Sequence, residues 1–136
     1  MPKLKIAIVG IGGVGGYFGG KLAACYFHSK EVEIIFIARG ENAKAIKAHG
    51  LKLVTPQGEQ TIHPALVITN PERLGFLDVV ICCIKNYDLE TSLETLRPCI
   101  NSNTVILPLM NGIDGSGRIK KMFPQAEVWE GCVYIV

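Results

Sequence analysis

The feature that most constrains this chain is a run of glycines that follows a short apolar segment close to the N-terminus. Residues 6–9 (IAIV) are apolar and mostly β-branched, which predicts a strand buried on both faces. The residues after them fit the pattern G-x-G-x-x-G and are Gly10, Ile11, Gly12, Gly13, Val14 and Gly15. A tight glycine turn between a strand and a helix is typical of α/β domains that bind nucleotides. The pattern therefore predicts a strand, a phosphate-binding loop and a helix.

Each glycine of the motif has a physical role in such a unit. Gly10 permits the tight turn, Gly12 lets the backbone approach a pyrophosphate, and Gly15 lets the helix pack closely on the strand. The helix N-terminus offers free N–H groups and a partial positive charge to the phosphates. The alternative is that glycines simply collect in a loop. However, Gly19 and Gly20 extend the run into the predicted helix, where each costs about 0.5–1 kcal/mol relative to alanine, so a close approach must compensate.

A basic residue stands at the end of the second predicted strand. Residues 32–38 (VEIIFIA) are an apolar run, and Arg39 follows them. Domains that bind NAD usually have an acid here that accepts from the ribose 2′-hydroxyl. Arginine suits the 2′-phosphate of NADP instead, because its planar fork can donate two hydrogen bonds, so we expect NADP(H). Two alternatives stay open: Arg39 is a surface residue paired with Glu41, or Glu41 itself reaches a ribose hydroxyl.

Two polar residues follow later predicted strands. Lys85 comes after the apolar residues 79–84, and Asn111 comes after residues 107–110. Ligands of parallel sheets bind outside the carboxyl ends of the strands, so both residues are candidates for the same site. Lys85 could contact phosphate, ribose or substrate, or it is a solvated lysine that begins a loop. Asn111 could hydrogen-bond a nicotinamide ribose or a substrate carbonyl, or it is a turn residue, since Asn-Gly is a common turn dipeptide.

Apolar runs alternate with helical segments along the chain. Strands are predicted at residues 6–9, 32–38, 78–84, 104–107 and 128–136, and a hairpin-like pair at 51–54 and 60–62. Helices are predicted after the glycine loop and at residues 41–49 and 89–96. This alternation predicts an α/β fold of the Rossmann type, a doubly wound and mostly parallel sheet with helices on both faces. We expect residues 1–136 to form one dinucleotide-binding domain.

Composition argues against several other classes of protein. A formal net charge of +2 disfavours a general nucleic-acid-binding surface. The apolar runs are too short for a signal peptide or a transmembrane helix, which predicts a cytoplasmic protein without membrane partners. The histidines lack ligand spacing relative to the cysteines, so no metal site is expected. We expect the five cysteines to be reduced, buried thiols, with the adjacent pair Cys82 and Cys83 on opposite sides of a strand.

Taken together, these motifs resemble the ketopantoate reductase (2-dehydropantoate 2-reductase) family. The segments that carry the resemblance are residues 10–23, 36–40, 50–53, 78–85 and 109–113, which occur in family order and span nearly the whole chain. The resemblance implies NADPH-dependent reduction of ketopantoate to pantoate in pantothenate and coenzyme A biosynthesis. Hydride would pass from the nicotinamide to the ketone carbon.

The resemblance also implies roles for individual residues. Residues 10–15 would hold the pyrophosphate, Arg39 the 2′-phosphate and Lys85 the cofactor, while Asn111 would lie where nicotinamide and substrate meet. The family's proton-donating lysine and most of its substrate contacts belong to a helical second domain. Because the sequence stops inside the apolar run of residues 132–136, we expect a fragment with no catalytic residue of its own. A homodimer would form through the second domain.

Three alternatives share a glycine-rich loop of this kind. A reductase of another 2-oxo or hydroxy acid would use the same nucleotide domain. A nucleotide-sensing regulatory domain has similar length but typically has an acid where Arg39 stands. A methyltransferase that uses S-adenosylmethionine needs no charge for a 2′-phosphate. Arg39 therefore favours a reductase over the last two classes, and Asn111 also argues against the regulatory domain.

Overall fold

The computed structural model describes residues 2–110 and 114–133, in which strands and helices alternate. The strands are β1 (Leu4–Val9), β2 (Val32–Ile37), β3 (Leu51–Thr55), β4 (Gly58–Ile62), β5 (Leu66–Ile68), β6 (Val79–Cys82), β7 (Val105–Pro108) and β8 (Glu127–Val128). The helices are α1 (Gly13–Cys25), α2 (Gly40–His49), α3 (Leu89–Glu94) and α4 (Gly115–Met122). Three short 3₁₀ turns occupy Pro71–Arg73, Asn86–Asp88 and Arg97–Cys99.

Six strands form one parallel sheet in the order β5, β2, β1, β6, β7, β8. Strand β1 is central, with β2 on one side and β6 on the other. Strand order runs outward from β1 in both directions, so the reversal that creates a ligand crevice lies beside β1. Strands β3 and β4 pair separately as an antiparallel hairpin. The predicted fold class, a Rossmann-type doubly wound sheet with one hairpin excursion, is confirmed.

Both faces of the sheet are buried because successive residues of its central strands are apolar. Ala7 and Ile35 point to one face, where they pack in a cluster with residues of α3 and α4. Ile8 and Phe36 point to the other face, where they pack with residues of α1, α2 and the hairpin. All four side chains are fully buried. This two-sided burial is the reason that residues 6–9 of β1 and 34–37 of β2 are continuous apolar runs rather than alternating ones.

Helix α1 lies close to the sheet because glycines form part of its inner surface. A Cβ on Gly19 would stand 3.1 Å from the Cγ2 of Ile8, and a Cβ on Gly20 would stand 3.3 Å from side-chain atoms of Leu51 and Ile62. Side chains at these positions would push the helix away from β1 and the hairpin. The glycines of the helix thus permit the close packing that the sequence led us to expect.

The predicted strand at residues 128–136 is confirmed at Val128 and is wrong for residues 129–133. Strand β8 ends at Val128, residues 129–133 form no strand, and residues 134–136 lie outside the described chain. The N–H of Trp129 still donates to the carbonyl of Ile106 at 2.9 Å. The next bond of a parallel ladder would need an N–H on Pro108, which proline lacks. The chain after Trp129 therefore leaves the sheet at the point where Pro108 of β7 cannot donate the next hydrogen bond.

Two elements were not predicted from the sequence. Strand β5 has three residues and pairs only with β2 at the sheet edge. Helix α4 contains Gly115 and Gly117, and of its eight residues Ile119 is the one buried large apolar side chain. Neither segment has the length or the repeated apolar spacing on which a sequence-based prediction depends. The predicted strand at residues 78–84 is also shorter in the structure, where β6 ends at Cys82.

The cysteines follow the expectation only in part. Cys82 and Cys83 do face opposite sides of the sheet, since each packs with a different one of the two clusters. All five thiols are free, but Cys25 and Cys132 are exposed, so the prediction of burial is wrong for these two. Cys25 ends α1, and Cys132 lies beyond the last strand pairing.

Two features are absent from residues 2–110 and 114–133. No helix in these ranges is long and apolar enough to cross a membrane. The same ranges contain no group of three or more His, Cys, Asp or Glu side chains that could hold a metal ion.

Candidate functional site

Three of the residues or segments selected from the sequence lie at one edge of the sheet. The glycine loop follows β1, Arg39 follows β2, and Lys85 lies three residues after the end of β6. These strands are neighbours in the order β2, β1, β6 and run parallel, so their carboxyl ends meet at the same edge. The topology therefore brings the three candidates to the point where strand order reverses, as ligand sites of open α/β sheets require.

The conformation of the glycine loop explains its first and last glycines. Gly10 has a φ of +89°, and a Cβ on it would stand 2.8 Å from the carbonyl oxygen of Cys83. A Cβ on Gly15 would collide with the carbonyl oxygen of Gly10. Only glycine fits at either position without movement of the backbone. The loop is thus held between the end of β6 and the first turn of α1.

The middle of the loop is open. A Cβ on Gly12 or on Gly13 would meet no atom within 4 Å. Helix α1 begins here, with the N–H of Gly16 donating to the carbonyl of Gly12 at 2.7 Å, and it has no acidic residue in its first turn. The partial positive charge of this helix end is therefore not balanced by a local carboxylate. Backbone N–H groups in such a position can bind a phosphate.

A cleft of about 330 Å³ opens beside the loop. Its walls come from the glycine loop, the ends of β1 and β2, and the first turn of α2. Single residues after β5 and β6 and three hydroxyl-bearing residues in or just after α3 complete them. The lining residues are Val9, Gly10, Ile11, Gly12, Ile37, Ala38, Arg39, Asn42, Thr69, Ile84, Thr91, Ser92 and Thr95. The cleft combines apolar lining residues, a glycine loop and the guanidinium of Arg39, a combination suited to a nucleoside with phosphates.

Arg39 stands at the mouth of this cleft with 67% of its side chain exposed. Its Nη2 lies 3.8 Å from the Oδ2 of Asp88, at the far side of the end of β1. Glu41 instead pairs with Lys44 at 3.4 Å. The alternative in which Arg39 pairs with Glu41 is therefore not the arrangement found, and the partner that the structure gives Arg39 comes from the turn after β6.

Of the two later candidates, Lys85 is described by the structure and Asn111 is not. Lys85 is exposed, lies next to the cleft residue Ile84, and makes no ion pair with any described residue. Its role stays a prediction. Asn111 lies outside the described residues, so its proposed place between nicotinamide and substrate stays a prediction as well. A second cleft, of about 400 Å³, is lined by Pro108, Met110, Gly115, Ser116, Glu130, Gly131 and Cys132.

Sequence reasoning missed Asn42 as a site residue. Its Nδ2 donates to the carbonyl of Ile11 at 3.0 Å and so ties α2 to the glycine loop. Asn42 is also part of the cleft wall. The only signal in the sequence is a polar residue in the first turn of the helix after Arg39, which is too common to single out.

The turn after Lys85 is held by a contact from α4. Arg118 donates from Nη2 to the carbonyl of Asn86 at 2.7 Å and forms a two-point pair with Glu90, both contacts being 2.6 Å. This guanidinium lowers the pKa of the Glu90 carboxyl below its ordinary value, chiefly by hydrogen bonding. The pair joins α3 to α4 and fixes the backbone that carries Lys85 and Asp88.

The cysteines beside the loop are not activated. Burial raises the pKa of the Cys82 thiol far above its ordinary value, and burial raises the pKa of Cys83 to about 11. A nucleophilic cysteine needs a lowered pKa. These two residues therefore belong to the packing around Gly10 rather than to the chemistry.

Known proteins of one enzyme family resemble this chain in sequence and in structure. The family model described as "Ketopantoate reductase PanE/ApbA" matches residues 6–136. The structure of 2-dehydropantoate 2-reductase from Porphyromonas gingivalis W83 superposes with a TM-score of 0.90 at 43% identity, over 98% of this chain and 47% of that one. The 2-dehydropantoate 2-reductase of Mesorhizobium japonicum is 32% identical over 93% of this chain and 41% of its own length.

The fold is shared with a dehydrogenase named for a different substrate. A ternary structure of D-mandelate dehydrogenase with NADH and anilino(oxo)acetate superposes with a TM-score of 0.77 at 27% identity, covering 94% of this chain and 40% of that chain. The chain thus spans between two fifths and one half of the length of the relatives that it matches.

Proposed function

This chain belongs to the ketopantoate reductase PanE/ApbA family, and from that membership we propose that it is the NADPH-binding domain, residues 1–136, of a 2-dehydropantoate 2-reductase. The whole enzyme would reduce ketopantoate to pantoate, on the route to pantothenate and coenzyme A in the cytoplasm. The observation that carries the proposal is the placement of the open glycine loop and Arg39 at neighbouring strand ends around one cleft. Family membership also disfavours the regulatory-domain and methyltransferase alternatives.

The residues present fit a phosphorylated dinucleotide. The open backbone at Gly12 and Gly13 leaves room for a pyrophosphate against the start of α1. Arg39, exposed at the mouth of the cleft, would donate to the oxygens of a 2′-phosphate. Lys85 would add a positive charge from the end of β6, and Asn111 would orient the nicotinamide ribose and the substrate carbonyl.

When bound, NADPH would supply a hydride to the ketone carbon of the substrate. The part proposed for this chain is to hold the cofactor so that its nicotinamide reaches the substrate. We assign no proton donor within it, because the resemblance to the ketopantoate reductase family implies a proton-donating lysine in a second, helical domain. The proton donor and most substrate contacts, like any dimer contact, are proposed to lie in the remaining half of the enzyme.

Calorimetric titration of the purified 136-residue chain with NADPH and with NADH tests the binding proposal. We expect both to bind, NADPH more tightly, and we expect no reduction of ketopantoate by the chain alone. Failure to bind either dinucleotide would refute the proposal. Ketopantoate turnover by this chain without another domain would show that the proton donor has been placed wrongly.

A second substrate class is supported by one comparison. The D-mandelate dehydrogenase with NADH shares this fold, so the nucleotide domain is compatible with reduction of other 2-oxo acids. A screen of the complete enzyme with ketopantoate and a panel of other 2-oxo acids distinguishes the two. A value of kcat/KM for ketopantoate at least tenfold above the others, a difference of about 1.4 kcal/mol, supports the first assignment.

A further inference from the structure

Asp88 supplies the carboxylate that forms an ion pair with Arg39 in this structure. We propose that Asp88 is a specificity-determining residue, whose carboxylate competes with the 2′-phosphate of NADPH for Arg39 and so limits the preference for NADPH over NADH. The proposal rests on the proposed function, since it concerns the same cofactor site. It is carried by the position of Asp88 and not by any feature of its local sequence.

The two residues come from opposite sides of the central strand. Arg39 follows β2 and Asp88 ends the 3₁₀ turn after β6, so the pair reaches across the carboxyl end of β1. The distance from Nη2 to Oδ2 is 3.8 Å. Among the described residues no second cation lies within 4.0 Å of the Asp88 carboxylate. An anion that binds Arg39 from the cleft therefore also lies close to the negative charge of Asp88 and is repelled by it.

The backbone of Asp88 is held in place. Its N–H donates to the carbonyl of Lys85 at 2.9 Å. The following residue, Leu89, is fully buried in the core. Arg118 grips the same turn through the carbonyl of Asn86 at 2.7 Å. By contrast Arg39 is 67% exposed and Asp88 34% exposed, so Arg39 is the partner with freedom to turn toward a ligand while the carboxylate stays nearby.

The charge of the ligand decides how strongly the Asp88 carboxylate repels it. A phosphate monoester carries a charge of about −1.5 to −2 at neutral pH, and a carboxylate close to it repels it. The 2′-hydroxyl of NADH is uncharged and can donate a hydrogen bond to a carboxylate. Asp88 thus weakens the binding of NADPH without weakening that of NADH. Breaking the ion pair itself costs little, because exposed pairs are weak.

The test compares dissociation constants of NADPH and NADH for the wild-type 136-residue chain and for Asp88→Asn. Asparagine keeps the shape and removes the charge. We expect the NADPH affinity of D88N to rise about three- to tenfold, by the reduced repulsion, while the NADH affinity stays the same or falls. Glu94→Gln, at the end of α3, is the matched control, because it makes the same change in net charge and breaks an ion pair, with Arg97 of the following 3₁₀ turn. Its two affinities should stay those of the wild type.

The outcomes separate this inference from the proposed function. Wild-type protein that binds neither dinucleotide refutes the proposed function. Wild-type protein that binds NADPH while D88N shows an unchanged or lower NADPH affinity overturns the role of Asp88 alone. An equal gain for NADPH and NADH in D88N, or an equal gain in E94Q, also overturns it, since a general charge effect would then suffice. A circular dichroism spectrum and melting curve like those of the wild type establish that D88N is folded.

Discussion

The Cα of Gly15 faces the carbonyl oxygen of Gly10 so closely that a side chain of any size on Gly15 would collide with it. This contact joins the first turn of α1 to the end of β1 and sets the path of the glycine loop. Replacing Gly15 with alanine forces the loop or the helix to move. We expect Gly15→Ala to lower the free energy of unfolding by about 1–3 kcal/mol, as overpacking does, and to weaken binding of both dinucleotides.

Gly16 provides the matched control for that experiment. It is the next residue of the same helix, and a Cβ on it would meet no atom within 4 Å. Gly16→Ala should leave stability unchanged or raise it by about 0.5–1 kcal/mol, because alanine is the better helix former. Urea unfolding of both variants measures the difference. Equal destabilisation by the two substitutions would contradict the specific role of the Gly10 contact, because a Cβ on Gly16 meets no neighbouring atom.

Asn42 should affect both cofactors alike. Its side chain donates to the carbonyl of Ile11 at 3.0 Å and holds α2 against the glycine loop. We expect Asn42→Ala to cost about 0.5–1.5 kcal/mol of stability and to weaken NADPH and NADH by the same factor, since the loop is common to both. Lys44→Ala, on the same helix with a side chain that is 77% exposed, should change neither. Titration calorimetry with both dinucleotides measures the two affinities. A loss of affinity for NADPH alone would contradict the role of Asn42 in holding the shared loop.

The parts of the site that sequence reasoning found are those set by short-range patterns. Residues 6–9 are apolar at every position because both faces of β1 are buried, and the glycines follow because α1 must pack closely on it. Arg39 was identified because it directly follows an apolar strand. Each of these statements concerns residues that are close in the chain, for which spacing and composition determine the local structure.

The parts that were missed depend on which strands become neighbours. Asp88 and Arg39 are paired because β2 and β6 both flank β1, and no local pattern in the sequence expresses that order. Asn42 reaches Ile11 for the same reason. The end of β8 differs, because the sequence does contain a relevant signal. Pro108 cannot donate a hydrogen bond to the strand beside it, but applying this to β8 requires knowing that β7 and β8 are neighbours.

Thr104 is the one polar or charged residue among the described positions that is classed as buried. Its hydroxyl donates to the carbonyl of Leu77 at 2.7 Å and accepts from the N–H of Asn101 at 3.0 Å. We expect Thr104→Val to lower the free energy of unfolding by about 1–3 kcal/mol, because it leaves these backbone groups without a partner. Thr104→Ser keeps the hydroxyl and should cost less, about 0.5–1.5 kcal/mol for the lost methyl. Denaturant unfolding in which serine is as harmful as valine would contradict the hydrogen-bonding role.

The five thiols should fall into two classes of reactivity. Cys25 and Cys132 are exposed and should react with a thiol reagent in the native state. Cys83 has a pKa raised to about 11 by burial, and burial raises the pKa of Cys82 further, so at pH 8 almost none of either is the reactive thiolate. Cys99 is also buried. Native-state labelling followed by mass spectrometry should show two fast sites, whereas fast labelling of Cys82 would contradict its burial.

Arg39 should account for most of the difference between the two cofactors. A guanidinium that binds a 2′-phosphate contributes nothing comparable to NADH, so Arg39→Ala should weaken NADPH by about 1.5–3 kcal/mol, the range for hydrogen bonds to charged groups, and leave NADH nearly unchanged. Arg39→Lys should lie between the two, because it keeps the charge and loses the two-point geometry. The effect should shrink as salt is raised, since Arg39 is 67% exposed and exposed charges are screened. Calorimetric titrations at two salt concentrations measure all three. Retention of the full NADPH preference by R39A would mean that the 2′-phosphate does not bind at the end of β2. Lys85 would then be the next residue to replace.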